Sequence, residues 1–289
     1  RRGVTLPGWK EFGEMVGQDQ AARTLFVDMQ REEAALLQQM FDTAAGNRNL
    51  VWEAQLTRLT LARGFNLGQF AAPLGRCATH LFLGAQPDAN LSDEGAMRLV
   101  QLIMLPPVNE VLPMNRPENA LRRLVGTWIV HCPNRSQSAL EQRLGIMLRW
   151  QFAEALPLAL EIVERNPKYL SISPSLQVVA FMAVAKYGSE ENVAVLEPWL
   201  DDRTEHLPRA QSNGFRSVQV RDVALAALLH LTGQEPLTYG FLHAQTHPQE
   251  VFDVTSLYLE NDERRAAAAE QWKAWRAQHK LRSPRPASS

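Results

Sequence analysis

Two histidines, His243 and His247, stand four residues apart, the spacing that sets two metal ligands one above the other on a helical turn. Glu250 and Asp253 follow within reach of a third ligand position. Two features count against metal chemistry. The stretch Gly240 to Pro248 has the composition of a loop, and Ala244 stands where a zinc-hydrolase motif needs a general-base glutamate. A solvated loop is therefore the expectation, with no metal and no cofactor assigned. Asp222 and His230 lie eight residues apart, a little over two helical turns, so they share a face without touching. His131-Cys132-Pro133 places a histidine beside a thiol, but neighbours on a helix diverge by about 100°, so this pair reads as a helix terminus before proline.

Nucleophile-elbow, phosphate-loop and dinucleotide glycine motifs are missing, and Gly64-Phe65-Asn66-Leu67-Gly68 reads as a helix-to-helix turn. The acidic pairs Glu32-Glu33, Glu190-Glu191 and Asp201-Asp202 fall at helix ends or slips, where solvation explains them. The remaining candidates suit recognition rather than catalysis. The long polar loop Asp202 to Ser217 carries Arg203, Glu205, His206, Arg209, Phe215 and Arg216, and loops of that length inside a helical array are often functional. A second set, Trp275, Arg276 and Lys280, stands near the end, where Lys273, Arg276, Lys280, Arg282 and Arg285 run without an acid. Such a run is the basic end of a helix with a frayed tail, or a hook for an acidic partner or anionic lipid.

Composition bounds the options. The chain has 289 residues, 45% of them hydrophobic, enough for a substantial core in one large domain or two ordinary ones. Thirty basic residues against 31 acidic give a net charge of −1, which argues against a general nucleic-acid binder. No run approaches the roughly 18 apolar residues that read as a membrane span, so a soluble chain without a transmembrane segment is expected. Cys77 and Cys132 are too few for a disulfide framework or a zinc site without histidines; one disulfide stays open. The chain begins Arg1-Arg2-Gly3, which reads as a processed product or a piece of a longer protein. A signal peptide would have gone with the missing start, so cytoplasmic and exported locations both stay open.

The elements that must position these residues are helices. Strand alternation is almost absent, while amphipathic patterns recur every 15 to 25 residues between Gly, Pro and capping residues. Asp19 caps a long helix through Phe41 with a register slip at Glu32-Glu33. Further helices are expected from Asn49 to about Arg63, Gln69 to Leu83, and behind Ser92 through Met104. Pro106, Pro107 and Pro113 mark the least helical patch, a boundary or exposed loop. Beyond it, helices run from Pro117 to His131, Leu140 to Trp150, Ala153 to Val163, Leu176 to Tyr187, Glu190 to Leu200, Val220 to Leu231, and Asp262 to about His279.

These later helices pair. Laying Trp150 on Tyr187 also lays Glu154–Leu158 on Glu191–Val195, an offset of 37, and Gly188 falls on Gly233 at an offset of 45. Periods in this range belong to HEAT and armadillo arrays. Val220, Arg221, Ala224, Ala227, Leu228, Leu231 and Gly233 resemble the inner helix of a HEAT repeat, and Val193, Leu196, Leu200, Asp201 and Asp202 its second helix. The match covers roughly Leu121 to Tyr239. Leu6-Pro7-Gly8-Trp9 and Gln219 to Leu228 also resemble the C-terminal region of multi-helix proteins common in planctomycete-type bacteria, a likeness that carries no activity.

The resemblance implies an all-α superhelix of antiparallel helix pairs. Residues 1–115 would be degenerate repeats or a helical cap, 116–240 HEAT-like repeats, and 241–289 a terminal helix with a basic tail. A stacked array offers a long free surface, so the expected function is a non-catalytic protein-interaction scaffold. The rival is an enzyme or small-ligand binder whose concave groove gathers Asp222, His230 and Arg123. A nucleic-acid binder would need a continuous basic face.

Overall fold

A computed structural model describes residues 6–43, 52–57, 73–87, 89, 91–113, 119–134, 136–164, 172–207 and 217–279. The chain is mostly helical and forms two compact units, Arg1–Arg143 and Leu144–Ser289. The repeat limits expected at 115/116 and 240/241 do not coincide with this division.

The N-terminal unit opens with α1 (Trp9–Val16) and α2 (Gln20–Asp42). Asp19 Oδ1 accepts the Ala22 N–H at 2.8 Å, the N-cap expected of it. The slip anticipated at Glu32-Glu33 is a kink: Glu33 leaves helical geometry at φ −138° and ψ 32°. Its carboxylate pairs with Arg76 Nε at 2.5 Å. Residues 52–57 form a short helix, α3; the rest of the helix expected over 49–63 lies outside the described residues. Then come α4 (Leu74–Gly84), α5 (Asp93–Ile103), α6 (Pro106–Asn109) and α7 (Ala120–His131). The proline-rich patch thus includes a helical turn, because prolines at its first positions lack only N–H groups that a helix start leaves unpaired anyway.

At the centre of this unit α4 crosses α2 so closely that a methyl group on Gly75 would run into the backbone carbonyl of Asp28. Phe12, Phe26 and Phe82 fill the space beside the crossing, Phe12 lying 5.2 Å from Phe26 and 5.4 Å from Phe82 between ring centroids. Arg143, on α8 (Gln137–Trp150), is fully buried. Its guanidinium donates to the carbonyls of Ile129, Val130, Cys132 and Asn134. Ile129 and Val130 hold orphan acceptors of the last turn of α7, and Cys132 and Asn134 follow it, so the side chain supplies both the missing donors and a charge of the sign the helix dipole favours there.

The C-terminal unit repeats a local pattern. A 3-10 turn, Ala153–Ala155, leads into α9 (Leu156–Val163), and 37 residues on another, Glu190–Asn192, leads into α11 (Val193–Leu196). The helices before them, α8 and α10 (Pro174–Tyr187), end on Trp150 and Tyr187, again 37 apart. The continuous helix expected over Glu190–Leu200 is corrected: α11 is one turn, and Glu197–Asp201 is 3-10. Pro198 cannot supply the N–H that an α-helix would send to Ala194. Ser189 N–H donates to Asn192 Oδ1 at 2.9 Å and tightens the start. α10 packs against both α9 and α12 (Val220–Leu231), all lined with buried Ala, Val and Leu.

Two small sheets add strands that the sequence pattern does not announce. β1 (Glu205–Leu207) pairs antiparallel with β2 (Val218–Gln219), an irregular ladder closing the ends of the long loop. β3 (Thr246–His247) pairs with β4 (Val251–Phe252). Val251 closes that hairpin at φ 69°, a left-handed conformation costly for a β-branched residue. Lys186 Nζ donates to the carbonyls of Pro248 and Gln249 in the same turn. The chain ends its described part in α13 (Asp262–Gln278). Among the described residues no helix is long and apolar enough to cross a membrane.

Candidate functional site

β2 runs without a break into α12, so Gln219 is both the last strand residue and the cap of the helix. Its N–H donates to Asp222 Oδ2 at 3.0 Å, which fixes the Asp222 carboxylate over the helix start. Farther along the chain, Asn261 caps α13 by accepting the Arg264 N–H at 2.9 Å. The first buried residue of that helix is Arg265. It lies on one stripe with Ala268 and Trp272, positions i, i+3 and i+7 that share a face.

Arg265 grips Asp222 through two nitrogens: Nε donates to Oδ1 at 2.9 Å and Nη2 to Oδ2 at 3.0 Å. Nη2 also donates to the Ser217 carbonyl at 3.0 Å. Burial pushes the Asp222 carboxyl above its ordinary range, while hydrogen bonds from Arg265 and from the Gln219 N–H hold it down. A shape-matched, bidentate pair survives desolvation where a single contact would not. Arg221 Nη2 meets Asp262 Oδ1 at 2.5 Å and ties the first turns of α12 and α13 together a second time.

Above this pair opens a groove of about 550 Å³, lined by Glu205, Ser217, Gln219, Leu259, Glu260, Asp262 and Arg265. The lining holds three carboxylates, of which Asp262 is already paired with Arg221, and one guanidinium, paired with Asp222, so it is acidic on balance and favours cations and hydrogen-bond donors over phosphate. Ser217 Oγ donates to Glu205 Oε1 at 2.8 Å, which uses the hydroxyl as a strand-end tie. No histidine lines the groove among the described residues.

The residues singled out from the sequence fall as follows. Arg203 is exposed just before β1. His206 is half-buried within β1; its Nδ1 is buried without a hydrogen-bond partner, and burial lowers its pKa. Glu205, between them, reaches the groove. Arg209, Phe215, Arg216 and Lys280 lie outside the described residues. Trp275 is half-buried and stacks with Trp272 at 5.3 Å and with His279 at 4.3 Å. Arg276 Nε donates to Glu197 Oε1 at 2.9 Å, fastening α13 to the Glu197–Asp201 turn. What meets at the groove is the β1–β2 pair and the head of α13.

The other constellations disperse. His243 stacks on Tyr258 with centroids 5.1 Å apart. His247 Nδ1 accepts the Glu250 N–H at 3.1 Å, and Asp253 Oδ1 accepts from Thr255. Among the described residues no group of three or more His, Cys, Asp and Glu is placed to hold a metal. Asp222 and His230 sit at opposite ends of α12, about 12 Å apart along its axis. His230 lies edge-on to Phe252, and Arg123 is held in the N-terminal unit by Asp19 and the Val16 carbonyl. Cys77 and Cys132 are both buried and not joined in a disulfide, and burial raises the Cys77 thiol to about 12.

Sequence reasoning missed Ser217, Gln219, Leu259, Glu260, Asp262 and Arg265. The one available signal is Arg265 itself, an arginine on the apolar stripe of an otherwise solvated helix. Comparison with protein families, with curated proteins and with solved structures finds no match to this chain.

Proposed function

We propose that the protein is a non-catalytic, HEAT-like helical-repeat scaffold. Its C-terminal unit receives a basic side chain of a partner protein in the groove between β1–β2 and the head of α13. The observation that carries this reading is the groove's lining: Glu205, Glu260 and Asp262 around a guanidinium neutralised by Asp222. Carboxylates so placed match Lys or Arg and disfavour nucleic acid, whose binding needs cations facing the backbone. The 37-residue recurrence of helix, 3-10 turn and helix supports the repeat reading.

Fluorescence anisotropy with labelled hexa-arginine and hexa-glutamate tests the proposal. Hexa-arginine binds, more weakly as salt rises, and the double substitution Glu205→Gln with Glu260→Gln weakens it about tenfold or more, the scale of one charged contact. Binding that ignores both substitutions, or preference for hexa-glutamate, overturns it. Arg203→Ala serves as a control outside the groove.

A further inference from the structure

The N-terminal unit buries an imidazole that neither the groove nor the repeat explains. His80 lies in the second turn of α4, 2% exposed, and its Nδ1 accepts the indole N–H of fully buried Trp52 at 2.9 Å. Trp52 opens α3 and lies over Gly84 of α4. One residue on, Glu53 accepts the Ser92 N–H at 2.7 Å and the Ser92 hydroxyl at 3.1 Å. α3 is thus pinned by an indole against α4 and by a carboxylate against the cap of α5.

An Nδ1 that accepts must carry a lone pair, so the imidazole is neutral with its proton on Nε2. Adding a proton at Nδ1 would place two N–H donors face to face in a dry interior. That costs the bond and leaves the indole N–H unpaired. The sequence itself hides this, because a histidine on an apolar helix face reads as plain core until its partner is known.

We propose that His80 is an acid-sensitive latch: protonation of Nδ1 breaks its bond to Trp52 and releases α3 from α4. Among the described residues, the charged groups on the neighbouring elements are of like sign or already engaged. On α4, Arg76 precedes it by one turn, with the same sign as an imidazolium, and is paired with Glu33 of α2. Glu53 of α3 is held by Ser92, and Glu94 of α5 is bound by Arg98. On α7, Arg122 donates to the Leu112 carbonyl and Arg123 to Asp19. The short α6 carries no charge. Burial, and after it the Arg76 charge, depresses the folded-state pKa from 6.5 to about 3.

The sign follows. Above pH 6.5 the latch is fully closed. As pH falls from 6.5 toward 3, the opened state takes up a proton that the closed state refuses, so the opening constant rises up to about tenfold per pH unit.

Hydrogen exchange of the full chain from pH 7 to pH 4, corrected for intrinsic exchange rates, reads this directly. Amides of α3 and α4 lose protection with that slope, and those of α10 and α12 give the baseline. His80→Asn, whose Oδ1 still accepts from Trp52 but does not titrate, flattens the slope in α3 and α4. An unchanged slope in His80→Asn overturns the latch. Should that variant not fold, the His80 ring proton in the unaltered chain decides by NMR. A midpoint well below 5 supports the proposal, and a midpoint near 6.5 with α3 still protected overturns it.

Discussion

In the N-terminal unit the interior is set by large, singular side chains drawn from distant helices, Phe12, Phe26, Phe82 and Trp52, and Arg143 and His80 are buried as well. In the C-terminal unit, α9, α10 and α12 present small residues in rows, such as Ala180, Ala183, Val184, Ala224, Ala227 and Leu228. Rows of small residues allow the same contact to recur at a fixed interval, whereas an aromatic cluster is used once. The difference teaches why, among the described residues, a local 37-residue recurrence of helix and 3-10 turn shows in one unit and not in the other.

Four substitutions would break or sharpen that contrast. The largest effect is expected in the regular unit, at its buried ion pair. Asp222→Asn strands Arg265, which is only 8% exposed, and costs about 3–5 kcal/mol in urea denaturation. Removing both charges together (Asp222→Asn with Arg265→Met) costs less than Asp222→Asn alone if desolvation of the stranded guanidinium is the cause. Next is Gly75→Ala, where an added methyl meets the α2 backbone; about 3 kcal/mol is lost, seen as lowered exchange protection in α2 and α4. A conventional repeat interior would tolerate alanine there.

A smaller effect tests the tie between α9 and the Glu197–Asp201 turn. Trp199 Nε1 donates to the Val163 carbonyl at 2.9 Å. Trp199→Phe leaves that carbonyl unpaired and costs about 1–2 kcal/mol. The smallest is a gain. Val251→Gly relieves the left-handed strain at the β3–β4 hairpin, partly offset by the greater freedom of glycine when unfolded, and stabilises by about 0.5 kcal/mol. A loss instead would mean that the valine side chain contributes more packing than its backbone costs.

Much of the helical outline is legible in local chemistry. Asp19 and Ser92 cap where their side chains say they should, the slip at Glu33 is a kink, and α13 starts at Asp262. What local chemistry hides is pairing at long range. Nothing near Asp222 announces Arg265, and nothing near Trp52 announces His80. Glu190–Leu200 misleads for a different reason: its apolar period is helical, yet Pro198 and the Ser189–Asn192 tie select 3-10 turns at either end. The groove escapes a sequence reading because its lining comes from segments about 40 residues apart, each ordinary by itself.

Arg143 carries one more consequence, for anyone wishing to study the halves apart. The division between the units falls inside α8, yet the side chain that completes the end of α7 is borne on α8 itself. Cutting before α8 deprives α7 of its cap. Cutting after Arg143 splits a helix with buried residues on both sides, Leu140 before it and Met147 after. A fragment intended to stand for the first half must therefore keep all of α8, and one intended for the second half must begin with it, so the two fragments have to overlap.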